Sequence, residues 1–509
     1  MSVKTPEMSV TLADNHSDVT AKMSWKMPIT YAMATLIALF FALRAQGDAV
    51  FRWKLNRMDK FQLPEKTMKT ALLSWVAAAI CALIFVYSVV RALARKKTGA
   101  VPAIVAGVSV VFALLAWQGG GSAGFITITA TLASALALST PLIFGSLSGV
   151  VAERVGIVNI SIEGQLLTGA FAGVVVASAT GSVWAGLIAA PVAGALMGAL
   201  LALFAVQYNV DQIIVGVVLN VFALGLTTFF FSSVLSDQPE LNSSSMNLDN
   251  IKIPLLADIP IIGPVLFNQT ILTYFMYVVI AVLTVFLFRS RWGLRLRACG
   301  EHPHAAASVG INVRRTRVLN TLLSGALAGL GGAYFTIGAS IGHSFNNNMS
   351  AGNGYIALAA MILGAWSPRG GLAASLLFGF AMNLGFTLSI IGSPMPSQVV
   401  LMIPYIVAIL AIAGFVGRVR APAAEGVPSP WKHPLLVETR RFRGGIANFM
   451  PLFVPPSEQG LFTKQNWDWP AGMQVGPEAP YETRFRFPPA PGRLPPMLLV
   501  GDSFSDAFS

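Results

Sequence analysis

The 509-residue chain has very few charged side chains. Asp, Glu, Lys and Arg make up 11% of it, against 55% hydrophobic residues, whereas an ordinary soluble domain carries about 25% charged residues. A chain of this length that folded in water would need a charged exterior, and this one cannot supply it. The composition therefore excludes a water-soluble globular protein and predicts a protein whose solvent is lipid.

Cysteines and phosphate-binding motifs are also scarce. The two cysteines, Cys81 and Cys299, lie far apart in the sequence, and this number and spacing give neither a disulfide framework nor a metal site. No glycine is followed directly by lysine, so the chain has no Walker A loop to cradle the phosphates of ATP. We therefore expect no catalytic residues, no cofactor and no metal.

Long uncharged stretches are what the chain has in abundance. About twelve apolar segments can be marked by their length and lack of charge. They run approximately over 28–43, 71–91, 101–118, 125–147, 163–180, 183–207, 211–233, 270–288, 318–339, 355–366, 370–392 and 398–416. A full span needs about 20 residues, so the short 355–366 segment is predicted to be a half-helix or part of a re-entrant turn. The sequence thus predicts an all-α, polytopic membrane helix bundle.

The charges between these segments predict the orientation of the chain. The loop 289–317 is rich in arginine, whereas the loop 234–269 has Lys252 as its one basic residue. Since cytoplasmic loops carry the excess of Lys and Arg, the first loop should be cytoplasmic and the second outside, with both chain ends in the cytoplasm. The loop 44–70 is basic although this orientation places it outside. We keep the orientation because the later basic clusters agree with it. The net charge of +12 belongs to such loops, and no nucleic-acid partner is expected.

A group of polar residues stands out against the apolar segments. The stretch AERVGIVNISIEGQ at 152–165 contains Asn159, Glu163 and Gln165, and the apolar run from 211 contains Gln212 and Asn220. Polar groups are costly within a bilayer, so they pair with one another or face a water-filled path. The first interpretation makes these residues helix caps and helix-to-helix hydrogen bonds. The second makes them the lining of a substrate path, because amides both donate and accept hydrogen bonds.

The glycines of the string GALAGLGG at 325–332 recur at a spacing that places small residues on one helical face. Close helix packing is the interpretation we prefer. A dinucleotide-binding loop would need a preceding strand, which this part of the sequence does not predict.

The stretch 152–165 resembles the signature of a known family. The strings QIIVGVVLN at 212–220, RACGEHPHAAASVGINV at 297–313 and GNGYIALAAMILGAWSPRG at 352–370 extend the resemblance, which covers roughly residues 28–426. They are similar to the permeases of ABC importers for branched-chain amino acids, ribose and nucleosides, and most of all to the nucleoside and simple-sugar subgroup. The resemblance implies the type II importer permease fold and a multi-pass location in the bacterial cell (inner) membrane. It also implies a cytoplasmic ABC ATPase subunit, a second permease in a heterodimer and a substrate-binding lipoprotein as partners.

The same resemblance gives a role to the string at 297–313. In similar permeases this loop is the coupling helix that sits in a cleft of the ATPase subunit. The residues it assigns to that contact here are Glu301, His302, Ala305, Ala306 and Gly310. The small residues let a partner approach closely, and the polar ones can hydrogen-bond across the interface. An ordinary loop that only sets membrane topology is the other interpretation.

The end of the chain opens a different alternative. We expect a cytoplasmic tail at 1–27, a transmembrane domain at 28–420 and a second cytoplasmic tail at 421–509, whose atypical sequence suggests a fusion or a gene-model artefact. The string LLVGDSFSDAF at 498–508 resembles the first block of SGNH-type hydrolases and acetyltransferases, in which Ser503 would be the nucleophile. The base that such a serine needs does not follow in this chain.

We therefore expect a permease for nucleosides or simple sugars. The alternatives are a branched-chain amino acid importer permease and a membrane-anchored acyltransferase or hydrolase fusion.

Overall fold

The computed structural model describes residues 25–52, 66–95, 98–120, 126–243, 245, 247–339, 344–390, 402, 421–427, 436–441 and 481–486. The chain divides into two compact units, Met1–Ser429 and Pro430–Ser509. Each unit is described by itself below.

Helices dominate the first unit. They are α1 (Lys26–Arg44), α2 (Thr70–Leu93), α3 (Ala100–Gly119), α4 (Ile128–Arg154), α5 (Ile162–Thr180), α6 (Val183–Ala202), α7 (Gln212–Phe230), α8 (Ile262–Leu266), α9 (Ile271–Arg289), α10 (Arg291–Glu301), α11 (Pro303–Ser308), α12 (Val313–Ala333), α13 (Asn353–Leu363) and α14 (Pro368–Ile390). Turns of π-helix at Leu203–Gln207, Phe231–Leu235 and Tyr334–Gly338 extend α6, α7 and α12.

Among the described residues, nine helices are long and apolar enough to cross a membrane: α1, α2, α4, α5, α6, α7, α9, α12 and α14. The predicted all-α polytopic fold is therefore confirmed. The expected number of twelve segments is approximate, because α3 and α13 are shorter apolar helices. The predicted segment 398–416 lies outside the described residues, apart from Met402.

The first three helices pack against one another. A small sheet of β1 (Asp48–Arg52), β2 (Lys66–Lys69) and β3 (Ile126–Thr127), in the order β2–β1–β3, closes one end of this group. Strand β1 runs antiparallel to β2 and parallel to β3. The sheet thereby connects the loop 44–70 to the beginning of α4.

Helix α12 lies in the middle of the bundle, against α4, α5 and α6. The contacts are so close that they leave no room for side chains. A Cβ atom on Gly329 would lie 2.3 Å from the backbone oxygen of Ala190, and one on Gly325 would lie 2.3 Å from that of Gly194. The packing role expected for the glycines of 325–332 is therefore what the structure shows.

Two connections leave the bundle. Residues 236–270 contain the antiparallel pair β4 (Asn250–Lys252) and β5 (Asn268–Thr270), with α8 between them. At the other end of α9, the short helices α10 and α11 lead to α12. In the second unit, strands β6 (Leu436–Arg441) and β7 (Tyr481–Arg486) pair in antiparallel fashion. The string 498–508 lies outside the described residues.

Candidate functional site

The segment between α4 and α5, residues 155–161, is irregular and largely buried. Irregular backbone at membrane depth requires hydrogen-bond partners from the protein. Helix α7 supplies them. The Gln212 Oε1 atom accepts a hydrogen bond from the Val158 N–H (2.7 Å), and the Asn220 Nδ2 atom donates to the Ile160 carbonyl (2.9 Å). Gln212 and Asn220 therefore lie on one face of α7 and stabilise the same segment.

Asn159 and Gln165 belong to a buried network with three serines. The Asn159 amide donates to the hydroxyl of Ser324 (2.9 Å) and to Oε1 of Gln165 (3.1 Å). The Ser161 hydroxyl donates to Asn159 Oδ1 (2.7 Å), and the hydroxyls of Ser148 and Ser324 are 2.8 Å apart. All five side chains are fully buried. The network joins α4, α5 and α12, so these two amides hold helices together in this conformation.

Glu163 lies in the first turn of α5, but its carboxyl group contacts a different helix. Its Oε1 atom accepts from the Ser350 hydroxyl (2.6 Å) and the Gly352 N–H (2.7 Å), and its Oε2 atom accepts from the Gly354 N–H (2.6 Å). The first N–H groups of a helix have no partner within the helix and form the positive end of its dipole. The buried Glu163 side chain therefore caps the N-terminus of α13.

Helix α13 begins inside the bundle. It runs beside α4, where a Cβ atom on Gly145 would lie 2.7 Å from the Ala357 Cβ atom. The rise of an α-helix places Gly145 roughly 14 Å from Arg154 at the end of α4. That distance is close to half of the roughly 30 Å hydrocarbon thickness of a bilayer. The predicted short segment 355–366 is thus an 11-residue helix whose second turn, at Ala357, lies near half of this thickness, so the helix starts within the membrane.

The polar network reaches the surface at Tyr355. This side chain is 49% exposed, whereas the five predicted path residues are all buried. The Tyr355 hydroxyl accepts a hydrogen bond from Asn220 Nδ2 (3.1 Å), and Asn220 Oδ1 accepts from the Gly164 N–H (2.8 Å). Sequence reasoning missed Tyr355, although it stands inside the string at 352–370 that carries the family resemblance.

A second polar pair lies along the same boundary. The Thr228 hydroxyl of α7 donates to Oδ1 of Asn347 (2.6 Å), in the segment that leads to α13. The exposed side chains of the first turns of α7 are aliphatic: Ile213, Ile214, Val217, Val218 and Val221. Polar groups therefore recur where α7 meets the segment before α13 and the start of that helix, beside a surface that is otherwise apolar.

The predicted coupling residues lie on α10, α11 and the turn that follows. Glu301, His302, Ala305 and Gly310 are exposed, as a docking surface requires. Ala306 is only 3% exposed and packs in a core cluster with α10 and α12. Its side chain therefore faces the bundle in this conformation, and its coupling role stays a prediction. Val309, 75% exposed at the outer end of this connection, is a surface residue that sequence reasoning did not single out.

Near the end of α4, a second set of contacts surrounds Glu153. The Trp366 indole donates to Glu153 Oε2 (2.6 Å), and the Arg154 Nε atom donates to the carbonyl of Trp366 (2.8 Å). These bonds connect the end of α4 to the turn between α13 and α14. In the part of the chain that the structure describes, no three His, Cys, Asp or Glu side chains converge as metal ligands would.

These features define a class of protein. A helix that begins within the membrane, with polar groups around its first turn, is typical of membrane transporters, which use such interruptions around the solute. The exposed α10–α11 connection adds a surface outside the bundle for a soluble partner.

The chain belongs to the family described as branched-chain amino acid transport system / permease component, whose model matches residues 131–412. It is a permease subunit of an ABC importer and a multi-pass protein of the cell membrane, and not an enzyme. Permeases of this kind work with an ATPase subunit and a binding protein.

Three curated relatives are similar over most of their length. The guanosine ABC transporter permease protein NupQ of Bacillus subtilis is 39% identical over 58% of this chain and 94% of its own. The nucleoside ABC transporter permease protein NupC of Lactococcus lactis is 40% identical over 59% and 96%. The putative glucose ABC transporter permease protein TsgC13 of Haloferax volcanii is 31% identical over 47% and 72%. No solved structure matches the chain.

Proposed function

We propose that this permease imports nucleosides. The observation that carries the proposal is the near 40% identity to NupQ and NupC across almost their whole length. The simple-sugar alternative is supported by the more distant TsgC13. The branched-chain amino acid alternative is supported by a match that covers 19% of its relative. For the hydrolase alternative, the string that suggested it lies outside the described residues.

We also propose that the solute passes along the boundary between α7 and α13. Of the predicted path residues, Asn220 and Glu163 contact this boundary, whereas Asn159, Gln165 and Gln212 are buried behind it and bond to α4, α12 and the segment before α5. Tyr355 presents an exposed ring whose hydroxyl accepts a hydrogen bond from Asn220. An aromatic ring offers a stacking surface to a nucleobase, and amides and hydroxyls suit the sugar and the base edges. The alternation of two packed states of the bundle would expose this boundary to either side in turn.

The partners we propose are a cytoplasmic ATPase, a substrate-binding lipoprotein and a second, related permease. The pairing of two different permeases is supported by B. subtilis and L. lactis, each of which has a second relative of this chain. These are NupP, 29% identical, and NupB, 26% identical. We propose that the ATPase docks on Glu301, His302, Ala305, Ala306 and Gly310, and that both chain tails, 1–27 and 421–509, lie in the cytoplasm.

Uptake by cells with and without the gene tests the solute. We expect labelled guanosine, adenosine or uridine to enter only when the gene is present, and labelled ribose, glucose and leucine to enter equally in both strains. Unlabelled nucleosides should compete with the labelled one, and depletion of cellular ATP should stop the uptake. Gene-dependent uptake of ribose or leucine without that of any nucleoside would overturn the assignment.

A bulky side chain at Ala305 tests the coupling surface. Since Ala305 is exposed, Ala305→Trp should leave the fold intact while it keeps the ATPase at a distance. We expect at least a tenfold fall in uptake and loss of the ATPase from the purified complex, with an unchanged amount of permease in the membrane. Ala305→Ser, which adds little volume, is the matched control and should behave as the wild type. Normal uptake by the tryptophan variant would remove the coupling role from this face.

A further inference from the structure

Residues 421–427, just beyond the last apolar segment, pack against the first unit's helices. The Ala424 N–H donates to the Gly300 carbonyl (2.9 Å), and the Gly426 N–H donates to the Gly156 carbonyl (3.3 Å). The Arg317 guanidinium donates to the carbonyl of Val427 (2.7 Å). We call residues 421–427 the strap. It contacts the end of α10, the turn after α4 and the beginning of α12 at once.

The surface on which the strap lies fits it closely. A Cβ atom on Gly156 would lie 2.9 Å from the Ala424 backbone oxygen, and one on Gly300 would lie 2.1 Å from the backbone oxygen of Arg154. Ala424 itself is only 4% exposed. The Ala423 N–H faces a carboxyl oxygen of Glu301 (3.3 Å). The strap therefore closes over the place where the predicted coupling helices meet the bundle.

Two carboxyl groups meet beneath the strap. The Glu425 carboxyl group lies within hydrogen-bonding reach of that of Glu153. Its buried Oε2 atom has no N–H or O–H donor among the described residues. Two carboxylates cannot hydrogen-bond to each other, so this contact needs one shared proton. Burial raises the pKa of Glu425, which favours the protonated form.

Two arginines lie on the segments next to this pair, one directly after Glu153 and one bonded to the end of the strap. Arg154 contacts Trp366, and Arg317 contacts Val155 and Val427. The other titratable groups nearby are Arg297 and Glu301, which lie close to Arg154, and the thiol of Cys299 near Arg317.

We propose that residues 421–427 are a strap that fixes α10 to the ends of α4 and α12, and that Glu425 is the positioning residue that holds it through a proton shared with Glu153. The strap then transmits a displacement of α10–α11 to α4 and, through Trp366, to α13. This transport role rests on the proposed coupling function, whereas the docking of the strap does not.

Single cysteines in the full chain test the docking directly. In a background of Cys81→Ser and Cys299→Ser, Ala424→Cys reports the buried strap, and the exposed Ala421→Cys is the matched control. In membranes at pH 6, we expect N-ethylmaleimide to modify position 424 at least tenfold more slowly than position 421. Adding Glu425→Ala should abolish this protection, because alanine has no carboxyl group to share a proton with Glu153. Glu425→Gln should retain it, because an amide donates to the Glu153 carboxylate without a shared proton.

The pH dependence of this protection distinguishes a strap held by a shared proton from a strap held by packing alone. The two carboxyl groups hold one proton between them, so the stabilising contact is complete at low pH and is lost as the pH rises through the pKa at which the pair releases that proton. Protection of position 424, measured relative to position 421, should therefore fall as the pH is raised when Glu425 is present and stay constant in the Glu425→Gln variant. Equal reactivity of positions 424 and 421, retained protection in Glu425→Ala, or a flat profile with Glu425 would each overturn the proposal. These readouts need no solute, so a wrong nucleoside assignment would leave them unchanged.

Discussion

Replacing Glu163 by alanine is expected to destabilise the protein by about 3–5 kcal/mol and to abolish transport. The substitution would leave the Gly352 and Gly354 N–H groups and the Ser350 hydroxyl without the acceptor they now share. These groups surround a buried carboxyl group inside the helix bundle, where water cannot readily replace the lost carboxyl oxygens. The start of α13 would then lose its cap, and with it the position of Tyr355.

Thermal unfolding of the purified protein in detergent and uptake by cells are the two measurements. Glu240→Ala is the matched control, since Glu240 is exposed in a short 3-10 helix outside the bundle, and such surface changes usually stay within about 0.5 kcal/mol. Glu163→Gln should have an intermediate effect, because an amide has one acceptor oxygen instead of two. A Glu163→Ala variant that unfolded at the wild-type temperature would show that the cap contributes nothing.

Replacing Gly329 by alanine is expected to have the second large effect. The new Cβ atom would lie 2.3 Å from the Ala190 oxygen and 3.1 Å from the Gly194 Cα atom. Both obstacles are backbone, so α12 and α6 would have to separate, and overpacking of this kind typically costs about 1–3 kcal/mol or more. We expect most of the protein to be lost from the membrane fraction.

Gly107→Ala is the control for this substitution. A Cβ atom on Gly107 in α3 would meet nothing within 4 Å, and alanine favours a helix over glycine by about 1 kcal/mol. Its amount in the membrane should therefore equal or exceed that of the wild type. Equal amounts of the two variants would mean that α12 and α6 do not approach as closely as described.

The sequence predicted the helices well because their signal is local. Length and lack of charge are sufficient to place an apolar segment, and even the short 355–366 segment stood out. The spacing of Gln212 and Asn220 likewise predicted a shared helical face, since helical periodicity is fixed.

The partners of the polar groups could not be predicted in the same way. Glu163 was expected to be stabilised by the dipole of its own helix, α5. Its carboxyl group instead caps α13, which begins 190 residues later in the chain. Ala306 is buried because the short helix α11 packs one of its sides against the bundle. The small size of the alanine side chains does not show which of them lie on that side. Residues 421–427 were expected to belong to the cytoplasmic tail 421–509. Their contacts with the bundle are mainly backbone hydrogen bonds, which no residue pattern predicts.

The glycine contacts of α12 have a consequence for how the permease opens. Where backbone touches backbone, no side chain can change rotamer to let one helix slip past another. Helices α5, α6 and α12 should consequently move together as one rigid body. The movement must then come from the remaining helices. Helix α7 is joined to this unit by hydrogen bonds to the irregular stretch before α5 and to the first turn of α5 itself. Rearranging these hydrogen bonds and the side-chain packing around them is a smaller obstacle than separating the backbone contacts between α6 and α12.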